Sequence, residues 1–224
     1  LYYTPTNLGI QALRRLEGYR RTGDVAYLDS ARRMAEKLRT LGVVEGDRIW
    51  LPFPYDDKRA RMRAPWVNAL GQAVSLALFS RLHRLEGRPE DLAFATGLFN
   101  SITQLKRPDG PWVTEIDLDG YLWFEHYPDG LRGHVLNAHA YTVLALRDFW
   151  QETRTAEVRR WLEGGLTTLR DKLIKIGAKV TKHSKYVTFQ LAEVAVTRNL
   201  FAAILNRIAQ LAIPPPVLVC GMPV

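Results

Sequence analysis

The strongest constraint on this chain is a repeat. Leu28, Ala31, Met34 and Leu38 recur, 64 residues later, as Leu92, Ala95, Leu98 and Ile102. Both sets keep the spacing of one helical face, and each lies just after a longer helical stretch. The first such stretch, TPTNLGIQALRRLEGYRRTG, opens on Thr-Pro and places Leu8, Ala12, Leu13, Leu16 and Tyr19 on one stripe. The second, PWVNALGQAVSLALFSRLHRLEG, is apolar on most faces, so it should be buried; Pro65 predicts its start. A looser third copy pairs GHVLNAHAYTVLALRDFW with TAEVRRWLEGGLTTL. A helix that is apolar all round needs cover on every side, and its amphipathic successor supplies one. The expected fold is therefore mainly α, an incomplete α/α-toroid of inner and outer helices around a central cleft.

Two long inserts break this rhythm, GDRIWLPFPYDDKRARMRAPW and KRPDGPWVTEIDLDGYLWFEHYPDG. Both precede inner helices, so both should project from one end of the ring. PWVTEI and YLWF around Asp-Leu-Asp-Gly predict a β-hairpin. Inserts of this length in a compact domain usually carry function. Together they hold Trp50, Phe53, Tyr55, Trp112, Trp123, Phe124 and Tyr127. Flat rings over a cleft suit the C–H faces of a sugar, although the same rings could cap helix ends as satellite cores. Arg61, Arg63 and Arg132 flank the same loops and could grip carboxylates, which points to an acidic polysaccharide as partner.

The titratable candidates are Glu125, His126 and Tyr127, with His134 and His139 beyond them. An acid or imidazole beside a phenol can remove or return a proton. A glycan lyase or hydrolase would need a carboxylate pair, for which Glu125 with Asp117 or Asp119 is the candidate. Asn137 and Tyr141, four apart, are either a hydrogen-bonded pair or a wall of the site. Gln72, on a very apolar helix, must find a polar partner or a ligand. His126, His134 and His139 lack a metal-ligand spacing, so no catalytic metal is expected.

Charge divides the chain. Net charge is +8, yet residues 1–169 are nearly balanced, while residues 170–224 hold eight basic residues and two acidic ones. All six tryptophans precede residue 170. Such a seam is what a domain boundary or a gene fusion looks like, and it divides the chain into 1–169 and 170–224. In the tail, KYVTFQLAEVAV reads as a lone strand and TRNLFAAILNRIAQL as an amphipathic helix. Its lysines lack aromatic interleaving, so nucleic acid is not the expected partner. The single cysteine excludes an internal disulfide. No apolar run approaches the roughly 20 residues needed to span a bilayer. There is no signal-peptide pattern, so a soluble chain is expected and its compartment stays open.

APWVNALGQAVSLALFSRL, GPWVTEIDLDGYLWFEHYP and HVLNAHAYTVLALRDF together resemble the C-terminal catalytic domain of D-glucuronyl C5-epimerases, in order and with compatible spacing across about residues 1–169. The resemblance implies an α/α-toroid and no redox cofactor. It implies a heparan-type polysaccharide substrate, whose glucuronate is inverted at C5 by proton removal on one face and delivery on the other. The family's W-[FY]-E-E-Y-P segment maps onto Trp123 to Pro128, which makes Glu125, His126 and Tyr127 the catalytic candidates. His126 stands where the family has a second glutamate. Trp66, Gln72 and Asn137 match further segments and join Trp123, Arg61, Arg63 and Arg132 as substrate-binding candidates. Later Gly-x-x-Tyr-Asp-Leu-Arg and Tyr-His-x-x-His segments are missing, so a truncated domain with impaired turnover is expected, or a non-catalytic acidic-glycan binder. An opened ring would expose inner-helix surface and favour self-association. Residues 170–213 resemble the C-terminus of a bacterial insertion-sequence transposase, carried by YVTFQLAEVAV and LFAAIL.

Overall fold

The computed structural model describes residues 3–128, 130, 133–174, 179–183 and 186–190. The chain divides into two units, Leu1–Ile174 and Lys175–Val224. The first unit holds three helical hairpins: α1 (Pro5–Thr22) with α2 (Val25–Leu41), α3 (Ala69–Glu86) with α4 (Pro89–Ile102), and α5 (Leu136–Thr153) with α6 (Ala156–Leu169). Helix α3 packs on both α1 and α5, so the first helix of each pair forms the inner layer. Alternating inner and outer helices are the repeat of an α/α-toroid, and the fold is mainly α as the sequence predicts.

Local chemistry sets most boundaries. Thr4 caps α1 through the N–H of Asn7 at 3.2 Å, and Pro5 follows at the first helical position. Gly23, at φ 72, ends α1 in the left-handed region, and Asp24 then caps α2. The start of α3 differs from the sequence expectation. Pro65 lies in the preceding loop, in a cis bond after Ala64, and the helix begins four residues later behind Asn68. Asn68 Oδ1 accepts the N–H of Gly71 at 2.7 Å, so a capping amide rather than the proline sets the start.

The repeat carries through to packing. Ala31 and Ala95 are buried at equivalent places, as are Leu38 and Ile102, while Leu28 and Leu92 are half-buried. Most of α3 is buried, from Ala69 to Ser80 without a break. Gly9 permits the close approach of α1, because a Cβ there would meet Val74 Cγ2 at 2.4 Å. Between the outer helices, buried Asp91 of α4 receives Arg32 at 2.7 Å and Arg39 at 2.6 Å, both from α2. A carboxylate with two guanidinium partners is the form in which such a charge tolerates burial.

Each insert contains a two-stranded antiparallel sheet. The first pairs β1 (Val43–Glu45) with β2 (Arg48–Trp50), and the second pairs β3 (Thr114–Ile116) with β4 (Leu122–Phe124). The second is the expected hairpin. Asp117 Oδ1 accepts the N–H groups of Asp119 and Tyr121, and Gly120 takes φ 83 in the turn.

In the second unit β5 (Lys179–His183) pairs antiparallel with β6 (Tyr186–Gln190). The strand read from KYVTFQLAEVAV is therefore not alone, because residues just before it supply its partner. The tail helix TRNLFAAILNRIAQL lies outside the described residues. No helix among the described residues is long and apolar enough to cross a membrane.

Candidate functional site

The second insert builds its site by strand alternation. Side chains two apart share one face of a strand. Register places Glu115 opposite Trp123. The strand path continues past β4, since Glu125 N–H donates to Val113 O at 2.7 Å. Glu115, Trp123 and Glu125 thus share a face, while Phe124 turns inward and is fully buried. The Glu125 carbonyl accepts the N–H of Ala69 at 2.8 Å, which satisfies one of the free donors at the start of α3 and fixes the hairpin to the scaffold.

His134, between the hairpin and α5, lies against this face. Its ring stacks on Trp123 at 4.1 Å with 2° between planes, and its Nδ1 is 2.5 Å from Glu125 Oε1. The nearest Glu115 oxygen is 4.0 Å from the same nitrogen, and Lys106 Nζ donates to Glu115 at 3.0 Å. Glu125 is 4 % exposed. Burial pushes its carboxyl above the usual carboxylate range; contact with His134 and the charge of Lys106 pull the other way, and Glu115 adds to the rise. These groups, with Trp112 and Tyr127, line a polar cleft of about 100 Å³.

Ligand-type atoms of Glu115, Glu125 and His134 lie within 4.8 Å of one another, a spacing that could hold a cation. The sequence expectation of no metal considered three histidines; the structure substitutes two glutamates for two of them. Lys106 already neutralises Glu115, and the Glu125–His134 contact is a hydrogen bond. The arrangement is therefore better suited to moving a proton than to holding a metal.

A larger, more apolar cavity of about 800 Å³ is lined by both inserts, walled by Trp50 and Trp66 from the first and Trp112 from the second, with Arg61 and Arg63 also lining it. Trp112 lines both cavities, so they share a wall. Trp66 stacks on Phe53 at 4.3 Å, donates from its indole N–H to the Tyr55 carbonyl at 2.8 Å, and has Tyr127 at 6.2 Å. Phe53, Ala60, Met62 and Trp66 form a small core of their own. Most loop aromatics are buried: Trp50 and Trp112 are 3 % exposed, Phe53 4 %. Many of the rings thus serve as satellite core and leave little surface to the cavity.

The candidates fall into groups. Glu125 and Tyr127 meet in the polar cleft, whereas His126, between them, is absent from its walls and sets its ring edge-on to Tyr127 at 4.4 Å. Trp66, Arg61 and Arg63 line the larger cavity. Trp123 supports His134 and donates its indole N–H to Asp117 at 2.9 Å. Gln72 is fully buried: its carbonyl accepts Leu51 N–H at 2.9 Å, and its amide donates to Ile49 O at 2.8 Å and to Ser101 Oγ. Its polar groups tie β2 to the helices, which leaves it walled off from ligand. Asn137 and Tyr141 are exposed and line neither cavity, so they are not a buried pair. Arg132 lies outside the described residues. His139 is fully buried, accepting Phe124 N–H and donating to Gly165 O at 3.0 Å. Burial holds its pKa down; the Gly165 carbonyl opposes that and His134 adds to it. Asp117 is committed to its turn and to Trp123, and Asp119 to Lys172 at 2.7 Å, so neither forms a catalytic pair with Glu125. Lys106 and Glu115 were missed in the sequence; the hairpin register was the signal that could have found Glu115.

Solved structures share the fold at low identity. A GH76 α-mannanase from Bacteroides thetaiotaomicron is 13% identical over 75% of this chain and 44% of its own, with a TM-score of 0.57. Cellobiose 2-epimerase from Bacillus thermoamylovorans is 13% identical over 83% and 47%, at 0.56. A sugar epimerase from a ruminal bacterium is 17% identical over 84% and 48%, at 0.57. The chain spans less than half the length of each. No curated protein matches it. The family described as D-glucuronyl C5-epimerase C-terminus matches residues 44–195, a stretch that contains both inserts and runs past residue 169. The chain belongs to the family of the D-glucuronyl C5-epimerase C-terminus.

Proposed function

We propose that this chain acts as a carbohydrate epimerase, specifically on glucuronate units of a heparosan- or heparan-type polysaccharide, by removing and returning the proton at C5. The observation that carries the reading is the shared Trp112 wall, which joins an arginine-bearing aromatic cavity to a polar cleft holding Glu125 and Tyr127. An acidic polymer would lie along the larger cavity, its sugars against Trp50, Trp66 and Trp112 and its carboxylates on Arg61 and Arg63. The reacting uronate would reach the cleft, where the Tyr127 hydroxyl can deliver a proton and the Lys106 ammonium can offset the charge that builds on the carboxyl group. Family membership supports the reaction class, and the fold supports a carbohydrate cleft.

A second reading, an acidic-glycan binder without turnover, is favoured by His126 standing where the family has its second glutamate. The division at residue 169 and the transposase resemblance of the tail belong to this proposal as well. The charge seam supports them, and the family match through residue 195 counts against them. Proton NMR of an unsulfated glucuronate–glucosamine polymer incubated with the full chain tests the function. Iduronate signals are expected; retention of the polymer without them would favour the binder, and neither would sink both readings.

A further inference from the structure

We propose that His134, positioned by Glu125, is the base that takes the C5 proton; this rests on the epimerase reading above. Two contacts fix the imidazole: one ring face lies on Trp123, and Nδ1 is held by the buried Glu125 carboxyl group. The residue also lines the cleft that holds Tyr127 and Lys106. With Nδ1 committed inward, Nε2 is the nitrogen left to meet a ligand. A carboxylate on Nδ1 selects the tautomer whose Nε2 carries a lone pair, and it offsets the positive charge gained on protonation.

The pair works as a unit. With one proton it sits on Nδ1, and Nε2 is bare and basic. With two, Nε2 carries a proton wherever the other lies between Nδ1 and Glu125 Oε1, and the unit is neutral. The groups facing it are Glu115 and Glu125 from the hairpin, Lys106 from the strand-side loop and His139 from α5. Burial pushes the Glu125 carboxyl above the usual carboxylate range, so it can share the second proton.

The step balances without a redox partner. Nε2 takes the proton as the C5–H bond breaks, and the electron pair moves into the C5–C6 bond to give an enediolate beside Lys106. The Tyr127 O–H then delivers a proton to the opposite face, inverting C5. Phenolate and imidazolium recover their starting protonation through water. In the reverse direction the two groups exchange roles.

Deuterium uptake at C5 tests this, with the full chain and the same unsulfated polymer in D2O. His134→Gln should lower uptake at least about 100-fold while the chain still binds the polymer and keeps its helical circular dichroism. In His134→Ala, free imidazole added to the buffer should restore uptake in proportion to its concentration. Glu125→Gln should lower uptake less and displace its pH profile; a carboxylate with only a structural role would leave that profile in place. Uptake by His134→Gln within about threefold of wild type overturns the assignment and leaves the epimerase reading intact. Should His134→Gln fail to fold, a rate in His134→Ala that is flat with imidazole overturns it instead. No uptake by the wild-type chain overturns both.

Discussion

The two inserts leave the same end of neighbouring helical pairs and are built in opposite ways. The first holds itself together by ring packing, with Phe53, Trp66 and Tyr55 around a small core, and it leaves arginines at the cavity wall. The second is a hairpin whose alternation sends Phe124 to the core and Glu115, Trp123 and Glu125 to one polar face. Apolar stacking borders a broad cavity of about 800 Å³. Strand register makes a cleft of about 100 Å³ in which titratable groups sit at hydrogen-bond distance. Under the proposed function the difference is a division of labour: one insert would recognise the polymer, the other would move protons, and Trp112 stands on the wall they share.

The sharpest way to break that division is Tyr127→Phe. It keeps the ring beside Trp66 but removes the hydroxyl, so C5 inversion, read as iduronate formed, should fall about 100- to 10,000-fold with polymer affinity little changed. A comparable loss of affinity, read by calorimetry, would mean the second insert also does the holding. Asp91→Ala is the control for the scaffold beneath both inserts. It leaves Arg32 and Arg39 without their shared carboxylate and should cost about 3 kcal/mol in denaturant unfolding, lowering binding and exchange together. Arg61→Gln with Arg63→Gln should weaken polymer binding about tenfold, with a shallower salt dependence, and leave the saturated exchange rate alone.

The smallest effect is on stability. Burial raises the Glu125 pKa in the folded chain above the reference value of 4.5, so its favourable contribution is complete in acid and is lost as pH rises through the folded value. Glu125→Gln does not ionise. Its melting temperature should therefore gain on wild type as pH climbs from 4.5 toward neutrality, by about 2–4 °C per kcal/mol. A gap that narrows over this range would show that His134 outweighs burial.

The helical pairs were legible because their signals are local. Leu28 to Leu38 and Leu92 to Ile102 announce their faces by spacing, and Thr4 and Asp24 announce their caps. The start of α3 was misread because Pro65 at a loop's end and a proline opening a helix look alike in sequence, and only the Asn68 cap separates them. Glu125 and Tyr127 were legible together as neighbours in WFEHYPDG; His126 between them lies past the end of β4, and its absence from the cleft wall is a tertiary outcome. Gln72 and Asn137 were substrate-binding candidates by their match to family segments; that Gln72 spends its polar groups on Ile49, Leu51 and Ser101, and that Asn137 is exposed, are tertiary outcomes. The pairing of His134 with Glu125 joins positions nine apart in sequence, a separation that no helix or strand spacing announces.

The most direct test of the account is C5 deuterium uptake measured across polymer concentration for wild type, for the Arg61→Gln, Arg63→Gln double variant and for His134→Gln. The account predicts that the arginine variant raises the half-saturating concentration and keeps the maximal rate, while His134→Gln lowers the maximal rate and keeps the half-saturating concentration. Both variants moving the same parameter would contradict it.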